Sequence, residues 1–101
     1  MPVWTIAIDI IQDVRGSIAM YMFIIEEAIQ TIGMACYLLY KHKKYSDLKE
    51  VAKWALDNLV NPAIDFAETY GHVAYPLEMA YKAFYQASKK NFENYLRLTE
   101  K

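Results

Sequence analysis

An apolar residue recurs every three then four positions from Trp4 to Leu39 without interruption, through Ala7, Ile11, Val14, Ile18, Tyr21, Ile25, Ala28, Ile32 and Ala35. A 3.5-residue period held over about five heptads marks one long helix packed along partner helices, because neither a strand nor a loop maintains it. Beside this seam, Ile8, Met22, Ile29 and Cys36 lie on one flank, and Ile10, Ile24 and Leu38 on the other. The apolar face is therefore wide, as in a multi-helix bundle. Asp9, Gln12, Asp13, Glu26, Glu27 and Gln30 occupy the opposite side. Phe23 and Tyr37 fall on that polar side too, and exposed aromatics there argue for a second contact surface.

Unbroken to about residue 41, such a helix is on the order of 58 Å long, whereas a compact chain of this length has a radius of gyration of only about 13 Å. Either the helix breaks at Gly16-Ser17 or Gly33, or it runs past its own domain and meets a second subunit. The seam passes straight through both glycines, which favours the second outcome. Small residues at Ala7, Ala28 and Ala35 would let another helix approach closely. Residues 3–11 also alternate in the manner of a strand, with Trp4, Ile6, Ile8 and Ile10 against Thr5, Ala7 and Asp9, but the chain offers no second strand to pair with it.

Lys41-His42-Lys43-Lys44 closes this helix with charge that suits the negative end of its dipole. Asp47 and Glu50 have the spacing of a capping box, with Ser46 as an alternative cap, and Leu48, Val51, Ala52, Ala55, Leu56 and Leu59 mark the buried stripe of a second helix. Pro62 predicts a kink, or a fresh start capped by Asn61. Ala63, Ile64, Phe66, Ala67 and Tyr70 continue the apolar face to Gly71, a natural residue for a helix end. His72 to Tyr75 reads as a loop, and Pro76 with Glu78 opens a last helix running to about Leu98. Its expected core stripe is Leu77, Ala80, Tyr81, Phe84, Ala87, Phe92, Tyr95 and Leu96.

Composition agrees with this plan. The chain has 101 residues, 55% of them hydrophobic, with only three Gly and three Pro, so one helix-rich domain with few connections is expected over 1–101. A net charge of −1 supplies no global pull toward nucleic acid or an anionic membrane. The single cysteine, Cys36, rules out an intrachain disulfide and fits a reducing compartment. With no secretory signal pattern at the N-terminus, a cytoplasmic location is expected. Residues 16–40 are apolar enough to raise the question of a membrane span. Glu26 and Glu27 at their centre argue against one, since a mid-bilayer carboxylate costs about 2.5–3.5 kcal/mol.

Candidate sites are few. Asp65, Glu68 and His72 share one helix face only if the helix survives Gly71, and the Glu-x-x-His pairs of di-iron bundles do not occur. A solvated face is the expected reading, with no metal and no cofactor. At most one of Glu26 and Glu27 can face the core, where it would pair with Lys or Arg of a neighbouring helix, Lys82 and Lys89 being the candidates; a structural ion pair or solvent exposure is the expected reading. Lys41, Lys43, Lys44, Lys49 and Lys53 form a basic stretch with Tyr40, Tyr45 and Trp54 near it, the pattern of a nucleic-acid patch. Residues 54–80 carry four acids and neither Lys nor Arg, so charge is blockwise along the chain. Nine tyrosines, five of them in the last third, suit a pocket wall or an oligomer interface. No serine or cysteine sits with a base in a catalytic signature and no phosphate-binding loop occurs, so no enzyme activity is expected.

The second half, from Leu56 through Asn61-Pro62, Tyr70 and Ala74-Tyr75-Pro76 to Leu96, resembles in helix order and its Tyr-Pro step the HEPN helical domains found with nucleotidyltransferases and in toxin pairs. Nuclease members of that family carry an Arg followed four to six residues later by His, and Arg15 and Arg97 have no His in that window. The resemblance therefore implies a degenerate, non-nucleolytic binding member.

These observations predict an all-α, up-down bundle of three to four helices with a long first helix, completed by dimerisation. The expected function is that of an interaction or scaffold module without catalytic activity. Its expected subunit contact is the seam, Trp4, Ile11, Ile18, Tyr21, Ile25, Ile32 and Leu39, and its expected partners are a second copy or an unidentified protein. Nucleic acid held by the 41–53 patch is the alternative.

Overall fold

The computed structural model describes the backbone over residues 3–74 and 76–100, and side chains over 13–73 and 76–100. Helix α1, Val3–Lys41, is one uninterrupted α-helix. Gly16-Ser17 and Gly33 do not break it, and residues 3–11 are helix rather than strand. Neither glycine meets a tertiary neighbour that would force a kink, for a Cβ built on either has nothing within 4 Å.

The chain reverses over His42–Lys44. The Lys44 amide donates to the Leu39 carbonyl at 2.9 Å and the Lys43 amide to that of Tyr40 at 3.1 Å. This pair of bonds closes the helix only if the residue after the cap turns left-handed, and Lys43 does so at φ 60. Helix α2, Tyr45–Ala55, follows at once. It starts ahead of the expected capping box: Lys44 occupies the cap position and no side chain caps it, so Asp47 serves as a first-turn acid and neither Ser46 nor Asp47 as the cap.

Pro62 does not start a fresh helix capped by Asn61. The backbone passes through a π-helical turn, Leu56–Val60, into α3, Asn61–Tyr70, with Asn61 itself helical and Pro62 in the first turn. A proline ring crowds the carbonyl four residues earlier, and the wider π turn absorbs that crowding while the rod stays continuous. Gly71 is not left-handed either, at φ −60. The chain tightens through a 3-10 turn, Gly71–Ala74, where a loop was expected. Tyr75, the last residue of that loop, lies outside the described residues. Helix α4, Leu77–Thr99, follows Pro76, with Glu78 in its first turn.

Four contacts set the directions. Tyr21 meets Phe66 with ring centroids 4.5 Å apart, while at the other end of α1 Tyr40 meets Tyr45 at 6.3 Å, so α1 and the α2–α3 rod are antiparallel. The Tyr85 hydroxyl donates to the Met22 carbonyl, and the Tyr95 ring lies 6.0 Å from that of Tyr40, so α4 runs parallel to α1. The fold is thus all-α, three helical rods in up-down order.

Among the described residues of α1, Met22, Ile29 and Cys36 are fully buried, seven apart, with Ile18, Ile25, Ile32 and Leu39 partly buried beside them. The flank of the expected seam, rather than its centre, points into the core. From the α2–α3 rod come Leu48, Ala52, Ala55, Leu56, Val60, Ala63, Ile64 and Ala67, and from α4 Tyr85 and Phe92. Alanines on the rod leave room for the large rings of α4, and each large apolar side chain so buried contributes about 1.5–3 kcal/mol. The stripe on α4 is rotated from its expected position: Leu77, Ala80 and Ala87 are exposed, while Tyr85 and Ser88 are buried.

The molecule is a rod of 64 × 17 × 17 Å with a radius of gyration of 17.2 Å. Helix α1 at about 58 Å outruns α4 at about 35 Å by roughly 20 Å. Val14 shows where cover ends: it is 46% exposed although it occupies the same line as Ile18, Ile25 and Ile32.

Candidate interaction surface

Helix α1 has one side in the core and leaves the other open. On the open side Met20 is 58%, Ile24 54%, Met34 69% and Leu38 51% exposed. Phe23 and Tyr37 join them as exposed aromatics, as their placement away from the seam predicted. An unbroken helix holds their Cα positions at set spacings along one side. Between α1 and α4 runs a groove of about 630 Å³, floored by Gly33 and walled by Met34, Tyr37 and Leu38 on one side and Phe84 and Phe92 on the other.

The residues expected to make the subunit contact divide into groups. Ile18, Ile25, Ile32 and Leu39 are packed against the chain's own core. Tyr21 is half exposed and lies on the Phe66 ring. The side chains of Trp4 and Ile11 lie outside the described residues. Ile24 and Leu38, the flank that the sequence sets opposite Met22 and Ile29, are the open ones. Met20 and Met34 were missed; the signal for them was a second apolar line at heptad spacing, obscured by the stronger seam.

Lys41, Lys43, Lys44, Lys49 and Lys53 are all exposed, Lys41 at the end of α1, Lys43 and Lys44 at the reversal and the other two on α2. Glu26 is half-buried and its partner is Gln30, whose Nε2 donates to Oε1 at 3.4 Å, in place of Lys82 or Lys89. Asp65, Glu68 and His72 are exposed, and among the described residues no group of three or more His, Cys, Asp or Glu is placed to hold a metal ion.

Inside, the titratable groups are held neutral. Burial pushes the Cys36 thiol up to about 11, well away from a reactive thiolate. Burial raises Tyr81, Tyr85 and Tyr95 as well, with the Glu26 carboxylate reinforcing the shift at Tyr81 and Tyr85. The Tyr85 hydroxyl has a complete role in the fold, donating at 2.7 Å to the Met22 carbonyl.

By length and composition Asp13–Lys41 is also long and apolar enough to cross a membrane, with an 18-residue window of mean hydropathy 1.4, of which 17% is buried. The core accounts for part of its apolar character, through Met22, Ile29, Cys36 and the half-buried Ile18, Ile25, Ile32 and Leu39, and the rest faces outward. Fold and surface together define a small three-helix protein whose longest helix presents an open apolar face. No family model, curated protein or solved structure matches the chain, to HEPN domains or to any other family.

Proposed function

We propose that this protein is a non-catalytic interaction module that self-associates through the open face of α1. The observation that carries this reading is the row Met20, Ile24, Met34 and Leu38, large apolar side chains all more than half exposed on one rigid helix. The surface area supports it. The chain exposes 6952 Å², about 1,000 Å² more than the roughly 5,900 Å² of a compact monomer of its mass. A stable dimer buries about 800 Å² on each partner. The contact is placed on the face opposite the core because Ile18, Ile25, Ile32 and Leu39 are already engaged within the chain.

Light scattering coupled to size-exclusion chromatography tests this. In detergent-free buffer at micromolar concentration the expected mass is twice 11.8 kDa. Met34→Asp, at a position 69% exposed and so free of the core, is expected to give the monomer mass with its helix content unchanged. A wild-type monomer, or a Met34→Asp variant that stays dimeric, overturns the reading.

A further inference from the structure

The open face of α1 is a second heptad line, and its composition reads alike from both ends. Stepping four then three residues, it visits Ile6, Ile10, Asp13, Ser17, Met20, Ile24, Glu27, Thr31, Met34 and Leu38. The order is an apolar pair, a polar pair, an apolar pair, a polar pair and an apolar pair. From Asp13 to Leu38 every member is exposed. Ile6 and Ile10 continue the spacing in sequence, on a helix unbroken from Val3.

We infer that α1 pairs antiparallel with α1 of a second copy along this line, about a two-fold axis beside Met22; the inference rests on the self-association reading above. Such a contact places each side chain opposite a different one of the partner. Reversing the line about its midpoint sets Leu38 opposite position 6, Met34 opposite position 10, Thr31 opposite Asp13, Glu27 opposite Ser17 and Ile24 opposite Met20. By sequence, apolar meets apolar throughout, and each carboxylate meets a hydroxyl: Ser17 donates to the partner's Glu27, while Thr31, whose hydroxyl donates to the Glu27 carbonyl at 2.9 Å within its own helix, turns out of that bond to donate to the partner's Asp13. The residue at the axis, Met22, is turned into its own core, so nothing on the line has to face its own copy. The part of α1 that outruns its own bundle then lies along the covered half of the partner's α1, which accounts for its length.

Charge selects this orientation. A parallel pairing would stack Lys41, Lys43 and Lys44 on their own copies and Glu27 on Glu27, whereas the antiparallel one separates the basic ends by the length of the helix. A bilayer is the poorer occupant, since Asp13 and Glu27 would both enter the hydrocarbon at about 2.5–3.5 kcal/mol each on insertion scales.

A charge swap tests the register. Ser17→Asp sets a carboxylate against the partner's Glu27 at two symmetric places, and is expected to weaken the dimer about tenfold or more. Adding Glu27→Lys to the same chain is expected to restore the wild-type dissociation constant to within about threefold, by turning the repulsion into attraction. Positions 17 and 27 are about 15 Å apart on one helix, so rescue can arise only between chains. Both are exposed, and circular dichroism of each variant confirms an intact fold. An unaffected Ser17→Asp dimer, or loss without rescue, overturns the register; if Met34→Asp still gives monomers, the self-association reading survives that result. A wild-type chain that is monomeric in buffer, or soluble only in detergent, removes the second copy as occupant and sinks both.

Discussion

Replacing Tyr85 by Phe deletes one oxygen from the centre of the bundle and leaves the ring in place. That oxygen joins α4 to α1, its hydroxyl donating to the buried Met22 carbonyl at 2.7 Å. An intramolecular hydrogen bond contributes about 1 kcal/mol net, and an orphaned buried partner adds about 1–3 kcal/mol to the loss. The second figure does not apply, because the Met22 carbonyl also accepts the amide four residues on within α1. Tyr85→Phe is therefore expected to cost about 1 kcal/mol near neutral pH, lowering Tm by about 4–8 °C for a chain of this size. The same change should act in the opposite direction in alkali. Burial first, then Tyr81, Glu26 and Tyr21, hold the folded-state Tyr85 hydroxyl above the ordinary tyrosine range. Above pH ~10 the unfolded chain releases a proton that the folded chain keeps, so wild-type stability falls with rising pH by up to about 1.4 kcal/mol per pH unit from this group. Phenylalanine has no proton to release. The deficit of the variant is expected to shrink above pH 10 and to close near pH 11. Cys36, raised from 9.0 to about 11 by burial, destabilises both proteins equally from pH 9 and cancels in the difference. Guanidinium unfolding followed by circular dichroism, at one protein concentration and at intervals from pH 7 to 11, measures this. An unchanged midpoint at pH 7, or a deficit that persists undiminished at pH 11, would refute the reasoning.

Two local predictions follow from the backbone. Gly16→Ala and Gly33→Ala each add a methyl with nothing within 4 Å to the interior of α1, and are expected to raise stability by about 0.5–1 kcal/mol; Gly71→Ala should lower it, because its Cβ would sit 2.6 Å from Glu78 Cγ. Lys43→Gly relieves a side chain held at φ 60 and is expected to stabilise by about 1 kcal/mol. Thermal melts read both, and a loss of stability in Lys43→Gly would contradict the left-handed helix end.

Much of the fold is legible in the sequence because its determinants are local. The period of α1 names a helix, the Lys41–Lys44 run names its end, and the stripe Leu48, Val51, Ala52, Ala55, Leu56 and Leu59 is buried or half-buried as the spacing requires. Caps were less legible. Asp47 and Ser46 have good capping chemistry, but the bonds from Lys43 and Lys44 back to α1 carry the chain straight into α2, so the helix starts before either can act. Pro62 obeyed its local rule only in part, since the π turn ahead of it lets the rod continue. On α4 the error was one of rotation: Ala80 and Ala87 are as apolar by composition as the positions that are buried, and the Tyr85 bond to Met22 shows which side faces α1.

What the sequence determined by itself is the helical class and the order of the helical segments, because hydrogen bonding within a helix and the residues that interrupt it are matters of near neighbours; whether the helices number three or four, and whether α1 breaks at Gly16 or Gly33, it left open. It also determined that α1 carries more apolar surface than one bundle can use. Only the tertiary structure decided which line of α1 is spent inside. Several lines at heptad spacing compete on a helix that is apolar most of the way round, and local propensity is the same for each of them. Packing against the alanines of the α2–α3 rod and the rings of α4 selects Met22, Ile29 and Cys36 for the core. That selection leaves Met20, Ile24, Met34 and Leu38 facing outward, because a rigid helix cannot turn one side in without turning the other out.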